Sequence, residues 1–152
     1  MQQNFTVDTP KDFLKIVETI LVWAAENKRE SLIITLVGDL GAGKTTFTQQ
    51  LGQQLGVEEQ ITSPTFTIMK QYELSNTETP FTTLVHIDGY RLESDTELQP
   101  LHVEALLQQA GVIACIEWPE KLQTVLPTDI LSVTIAITDG EQRNVTLTIP
   151  YK

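Results

Sequence analysis

The chain is short of basic charge, of sulfur and of long apolar runs, and each shortage excludes something. Its 152 residues carry 10 Lys and Arg against 20 Asp and Glu, a formal charge of −10. A surface of that sign repels phosphate backbones unless a local basic patch overrides it. The basic residues are scattered, with Lys28-Arg29 the only adjacent pair, so a chain that grips nucleic acid unaided is not expected. A single cysteine, Cys115, cannot close an internal disulfide, which suits a reducing compartment. With only two histidines beside it, a zinc site has too few ligands. No run approaches the roughly 18 apolar residues of a membrane span. Met1-Gln2-Gln3-Asn4-Phe5 lacks the basic start and apolar stretch of a secretory signal. These absences together indicate a cytoplasmic protein with no membrane role. Internal repeats and low-complexity tracts are missing too.

Enough apolar residues are present, 41% of the chain, to bury a core that offsets chain entropy. A length of roughly 150 residues favours one domain, over residues 1–152. Thr9-Pro10-Lys11-Asp12 reads as a helix start, with a capping hydroxyl, a proline suited to the first turn and an acid suited to the dipole. Phe13, Ile16, Val17, Ile20, Leu21 and Ala24 then recur at helical spacing. Leu32 to Val37 is apolar on both faces, the mark of a strand inside a parallel sheet. A glycine-rich turn, Gly38 to Gly43, leads into a helix from Lys44 to about Leu55, with Gly56 placed to end it. Thr65 to Tyr72 and Phe81 to Asp88 read as strands of a hairpin. Ser94-Asp95-Thr96-Glu97 is a capping box, but Pro100 interrupts a continuous helix, so the expectation is a short turn and then a helix to Ala110. Val112 to Ile116 is a second buried strand, and Ile130 to Thr138 pairs with Asn144 to Ile149 around Asp139-Gly140. The fold class is α/β, a three-layer sandwich with a mixed, partly parallel sheet and a C-terminal antiparallel hairpin.

Gly38-Asp39-Leu40-Gly41-Ala42-Gly43-Lys44-Thr45 fits G-x-x-x-x-G-K-[ST] without mismatch. Glycines let successive backbone N–H groups curl around a phosphate where a Cβ would clash. Lys44 brings a point charge to the β and γ oxygens, and the Thr45 hydroxyl is a hard ligand suited to Mg²⁺. The helix opening there adds its dipole and free amides. A glycine-rich turn alone would have the same composition, but a buried strand before it and an amphipathic helix after it supply the context the motif requires.

Binding is not hydrolysis, which needs a metal, an oriented water and groups that answer to the γ-phosphate. Carboxylates at the carboxyl ends of buried strands supply these, because the crevice above the sheet opens there. Asp88 and Glu117 hold that position; spacing alone leaves open which of them meets the metal. Ser63-Pro64-Thr65-Phe66 lies where GTPase-like folds carry a first switch, so the Thr65 hydroxyl is a candidate for the metal or the γ-phosphate. Trp118 is either a lid on the nucleotide or a packed loop aromatic. Arg91 is equally suited to a phosphate or a surface acid. His86 reads as a core histidine, His102 as solvent-facing and Cys115 as an inert core thiol.

Gly-Asp-Leu-Gly-Ala-Gly-Lys-Thr-Thr (Gly38 to Thr46), Ser-Pro-Thr-Phe (Ser63 to Phe66), His-x-Asp-x-Tyr-Arg-Leu (His86 to Leu92) and Glu-Trp-Pro-Glu (Glu117 to Glu120) occur in this order. Together they resemble the TsaE (YjeE-type) family, small bacterial ATPases required for making threonylcarbamoyladenosine on tRNA. The resemblance runs from the first helix to the terminal hairpin. It implies ATP or ADP held by Asp39, Leu40, Gly41, Ala42, Gly43, Lys44, Thr45 and Thr46, with Trp118 beside the nucleotide. It implies Mg²⁺ at Thr45 and Glu117, a Walker-B-like Asp88 and a switch hydroxyl on Thr65, the last two with Glu117 forming the catalytic set. It further implies work with a TsaB–TsaD pair that modifies adenosine 37 of tRNAs reading codons that begin with A, with tRNA met through that complex. Gly89 departs from the family, standing where a larger apolar residue is usual, and Pro100 reshapes the segment after Arg91.

A small-molecule P-loop kinase is the alternative from another class. Such kinases cover the transferring phosphate with several arginines, whereas this chain has only Arg29, Arg91 and Arg143, far apart. A nucleotide-gated binding module without turnover is a third reading. The one Asn-Lys pair, Asn27-Lys28, precedes the P-loop and lacks the aspartate that reads guanine, so ATP is preferred over GTP.

Overall fold

The computed structural model describes residues 1–64 and 66–150. Seven strands form one sheet: β1 (Gln2–Val7), β2 (Leu32–Val37), β3 (Met69–Glu73), β4 (Thr83–Asp88), β5 (Val112–Glu117), β6 (Leu131–Ile137) and β7 (Arg143–Thr148). Three helices join them, α1 (Phe13–Glu26), α2 (Lys44–Leu55) and the short α3 (Val103–Leu107). The spatial order is β1-β7-β6-β2-β5-β4-β3. The four central strands β6, β2, β5 and β4 run parallel, β7 and β3 flank them antiparallel, and β1 pairs antiparallel with β7 at the edge. The expected mixed sheet with its C-terminal hairpin is therefore present.

Side-chain alternation splits the interior into two layers. On one face Ile34, Leu36, Ile113, Cys115, Leu131 and Val133 pack against Phe13, Ile16, Val17, Ile20 of α1 and Phe47, Leu51, Leu55 of α2. On the other, Ile33, Val85, Ile87, Ala114 and Ile116 pack against Leu92, Leu98, Val103, Leu107 and Leu122. Both faces of β2 and β5 are buried, which is why their sequences are apolar without a period. Phe13 and Phe47 meet edge to face at 5.8 Å and join α1 to α2.

Three elements differ from the sequence-based expectation. Gln2–Val7 forms an edge strand, unforeseen because Gln2, Gln3 and Asn4 are polar; it pairs only with β7 and needs little apolar surface. The strand expected from Thr65 begins only at Met69. The Thr67 and Ile68 N–H groups both donate to the Pro64 carbonyl, and Ile68 turns through a left-handed φ of 65°. Pro100 interrupts the third helix as expected, but the helix that follows ends at Leu107, short of Ala110. A 3-10 stretch, Asp95–Leu101, contains Pro100, and His102 takes a φ of 51° before the five residues of α3. Proline cannot donate the bond an α-helix needs there.

Candidate nucleotide site

β2 ends at Val37 and the chain turns back through Gly38 to Gly43 into α2. Gly43 sits at φ 115°, where side-chain-bearing residues are strained, and delivers the chain into the helix start. Lys44 is nearly buried; its Nζ donates to the Gly38 carbonyl at 2.6 Å and stands 4.3 Å from the centre of the Trp118 ring. Arg143, at the start of β7, braces the loop from outside. Its Nε donates to the Ala42 carbonyl at 3.0 Å and its Nη2 to that of Gly41 at 3.3 Å. These two bonds, with the Ala42 N–H donating to the Asp39 carbonyl at 3.0 Å, hold the loop in place.

The two acids come from adjacent parallel strands, and the register sets Asp88 of β4 directly beside Glu117 of β5. Both are buried, at 5% and 4% exposure, although carboxylates resist burial unless they are bonded. Asp88 Oδ1 accepts from the Tyr90 N–H at 2.9 Å. Glu117 Oε2 accepts from the Thr45 hydroxyl at 3.2 Å and lies 2.6 Å from His86 Nε2. Trp118 follows at φ 57°, a conformation that strains a side-chain-bearing residue, and its ring meets Tyr90 at 5.2 Å. Gly89 has no room for a side chain: a Cβ would lie 2.9 Å from the Trp118 carbonyl and 2.8 Å from Leu122 Cδ1. The departure from larger residues at 89 is thus a steric requirement of this turn.

A cleft of about 330 Å³ opens between these elements, lined by Leu40, Gly41, Gly43, Lys44, Thr45, Thr46, Asp88, Glu117 and Trp118, with Ser63 and Tyr90. A second cleft of about 280 Å³ shares Gly41, Gly43 and Thr46 with it and continues along Asp8, Thr9, Phe13, Glu141 and Arg143. Most of the residues read from sequence converge here. Asp39 and Ala42 do not line the first cleft: Asp39 faces a smaller recess behind Lys44, and the Ala42 side chain is in the core. Thr65 lies outside the described residues. Arg91 is exposed, with its guanidinium 4.3 Å over the Phe66 ring. Cys115 is buried, and that burial pushes its thiol up to about 12.

Sequence reasoning missed two residues, Arg143 and the Glu117 contact of His86. The alternation of β4 carried a signal for the second, since residues two apart share a face and His86 therefore lies on the same side as Asp88. The first carried none, because its contacts span about a hundred positions of chain. Among the described residues no three His, Cys, Asp or Glu side chains cluster as a ligand set. The Thr45–Glu117 pair is an oxygen-only donor set, fitting a hard cation that takes its remaining ligands from phosphate and water.

Residues 8–145 match the family model described as "Threonylcarbamoyl adenosine biosynthesis protein TsaE". The chain belongs to the TsaE family. Relatives named "tRNA threonylcarbamoyladenosine biosynthesis protein TsaE" include one from Bacillus subtilis, 36% identical over 76% of this chain and 68% of its own length. One from Rickettsia bellii is 36% identical over 78% of each chain. The crystal structure of Bacillus subtilis YdiB superposes with a TM-score of 0.74 at 28% identity, covering 98% of this chain and 86% of that one. Membership sets this TsaE-family chain among proteins of tRNA threonylcarbamoyladenosine biosynthesis.

Proposed function

We propose that the chain is a Mg²⁺-dependent ATPase that supports a TsaB–TsaD complex in threonylcarbamoylation of adenosine 37 in tRNAs reading codons that begin with A. The observation that carries this reading is the convergence on one cleft of the phosphate loop, Lys44, Thr45, Asp88 and Glu117. The triphosphate would lie along the amides of Gly41 and of Gly43 to Thr46, with Lys44 leaving the Gly38 carbonyl for the β and γ oxygens. The second cleft, which shares three residues of the loop, offers the base and ribose a place outside the reacting end. Thr45 and Glu117 would hold Mg²⁺, which when bound neutralises charge on the β and γ phosphates. Asp88, beside Glu117, would orient the water that attacks the γ-phosphorus; the β–γ bridging bond breaks, and ADP and phosphate leave. Thr65 is proposed as a switch hydroxyl answering to the γ-phosphate.

No arginine lines the first cleft among the described residues. Arg29 pairs with Asp129, Arg143 with the loop carbonyls, and Arg91 lies over Phe66. An arginine at the γ-phosphate contributes about 10³–10⁵ in rate elsewhere, so turnover by the lone chain is expected to be slow, and a kinase lid has no residues to build it. The test separates binding from turnover. Lys44→Ala should lose ATP and ADP uptake by calorimetry. Glu117→Ala should still take up Mg²⁺-free ADP but lose hydrolysis in the complex with the two partners. Equal ATP turnover by Glu117→Ala and wild-type complexes would overturn the assignment of Glu117, and no adenine-nucleotide uptake by wild type would overturn the function.

A further inference from the structure

We infer that His86 is a positioning residue: its imidazole holds the Glu117 carboxylate toward the Thr45 hydroxyl and presets the divalent-cation site before nucleotide arrives. The inference rests on the proposed nucleotide–Mg²⁺ reading of the cleft and goes beyond it to a residue that does not line the cleft. His86 is fully buried in β4 and pairs in register with Cys115, two positions before the Asp88–Glu117 pair. Its Nε2 is 2.6 Å from Glu117 Oε2, the oxygen that also accepts from Thr45. A carboxylate that serves as a cation ligand has only lone pairs to offer, and the role inferred for His86 is that of the donor through Nε2. Two donors on one oxygen fix the plane of the carboxylate and leave Oε1 for a cation.

The other ring nitrogen, Nδ1, is buried with no hydrogen-bond partner. A buried polar atom without a partner is a cost to folding that an apolar residue in the same slot would avoid. Stability alone therefore does not account for a histidine in this strand, whereas orientation of Glu117 does. Partners that orient metal ligands in this way are generally worth about 10–100-fold in metal affinity.

The experiment uses Mn²⁺ as the probe, titrated into the full chain saturated with ADP and followed by the paramagnetic resonance of free Mn²⁺. ADP affinity in EDTA is measured alongside by calorimetry. His86→Leu should weaken Mn²⁺ binding about 10–100-fold while metal-free ADP affinity moves less than about twofold. His86→Gln carries an amide nitrogen to the place of Nε2 and should recover most of the loss, whereas His86→Asn is too short and should not. Where His86→Leu fails to fold, the Gln and Asn variants decide, and equal Mn²⁺ affinities for those two would overturn the inference. Wild-type affinity in a folded His86→Leu would overturn it as well, leaving the nucleotide reading intact. A wild-type chain that binds ADP with no Mn²⁺ uptake would overturn both.

Discussion

Arg143 shows how one side chain far along the sequence can tune a phosphate loop. Its guanidinium reaches two successive carbonyls, those of Gly41 and Ala42, as a lysine ammonium could not do with the same geometry. On the proposed nucleotide reading, a loop held in this way would bind phosphate at a smaller ordering cost. Arg143→Ala should lower ADP affinity about tenfold, equivalent to about 1.4 kcal/mol, with Arg143→Lys recovering only part of it. Calorimetry checks this, with circular dichroism to establish an unchanged fold; an unaltered affinity in both variants would remove Arg143 from the site. Lys44 was legible in the sequence as the lysine of the G-x-x-x-x-G-K-[ST] turn. What its sequence position could not announce is that its ammonium lies between the Gly38 carbonyl and the Trp118 face.

At the scale of elements, the entry to α1 depends on one exposed carboxylate. Asp12 Oδ2 accepts from the Asp8 and Thr9 N–H groups, each at 2.9 Å, and these bonds hold its carboxyl below its ordinary value of 3.8. A lowered carboxylate pKa adds stability above the ordinary value and loses it as pH falls through the folded value. Asp12→Asn should therefore unfold at lower urea than wild type at pH 7, and the two midpoints should converge below pH 3.8. A gap independent of pH would show that the carboxylate charge is not what matters. α1 and α2 were legible because burial on one face imposes a period on the sequence, and β2, β4 and β5 because burial on both faces leaves a nearly unbroken apolar run. β3 and α3 were misjudged at their edges, where Ile68 and His102 take left-handed turns that no composition signals. β1 was invisible for a different reason. An edge strand of Gln, Asn and Thr is held by ladder bonds to β7, and those bonds depend on backbone, not side chains.

For the whole molecule, a charge of −10 sets the relation to tRNA. Phosphate contacts made by a chain of this sign are few, so binding of the isolated chain to tRNA should be weak at physiological salt. Filter binding or anisotropy checks this, and a tight complex without partners would contradict it. The residue types, the loop spacing and the order of apolar segments determined an α/β architecture with a G-x-x-x-x-G-K-[ST] turn between a buried strand and a helix, because local sterics, hydrogen-bonding capacity and periodicity are properties a sequence carries position by position. Only the tertiary structure decided that Glu117 shares one oxygen with Thr45 and His86, that Asp88 lies level with it, and that Arg143 grips the loop. Those pairings depend on the register of parallel strands and on chain closures across tens of residues, and no local preference encodes a register.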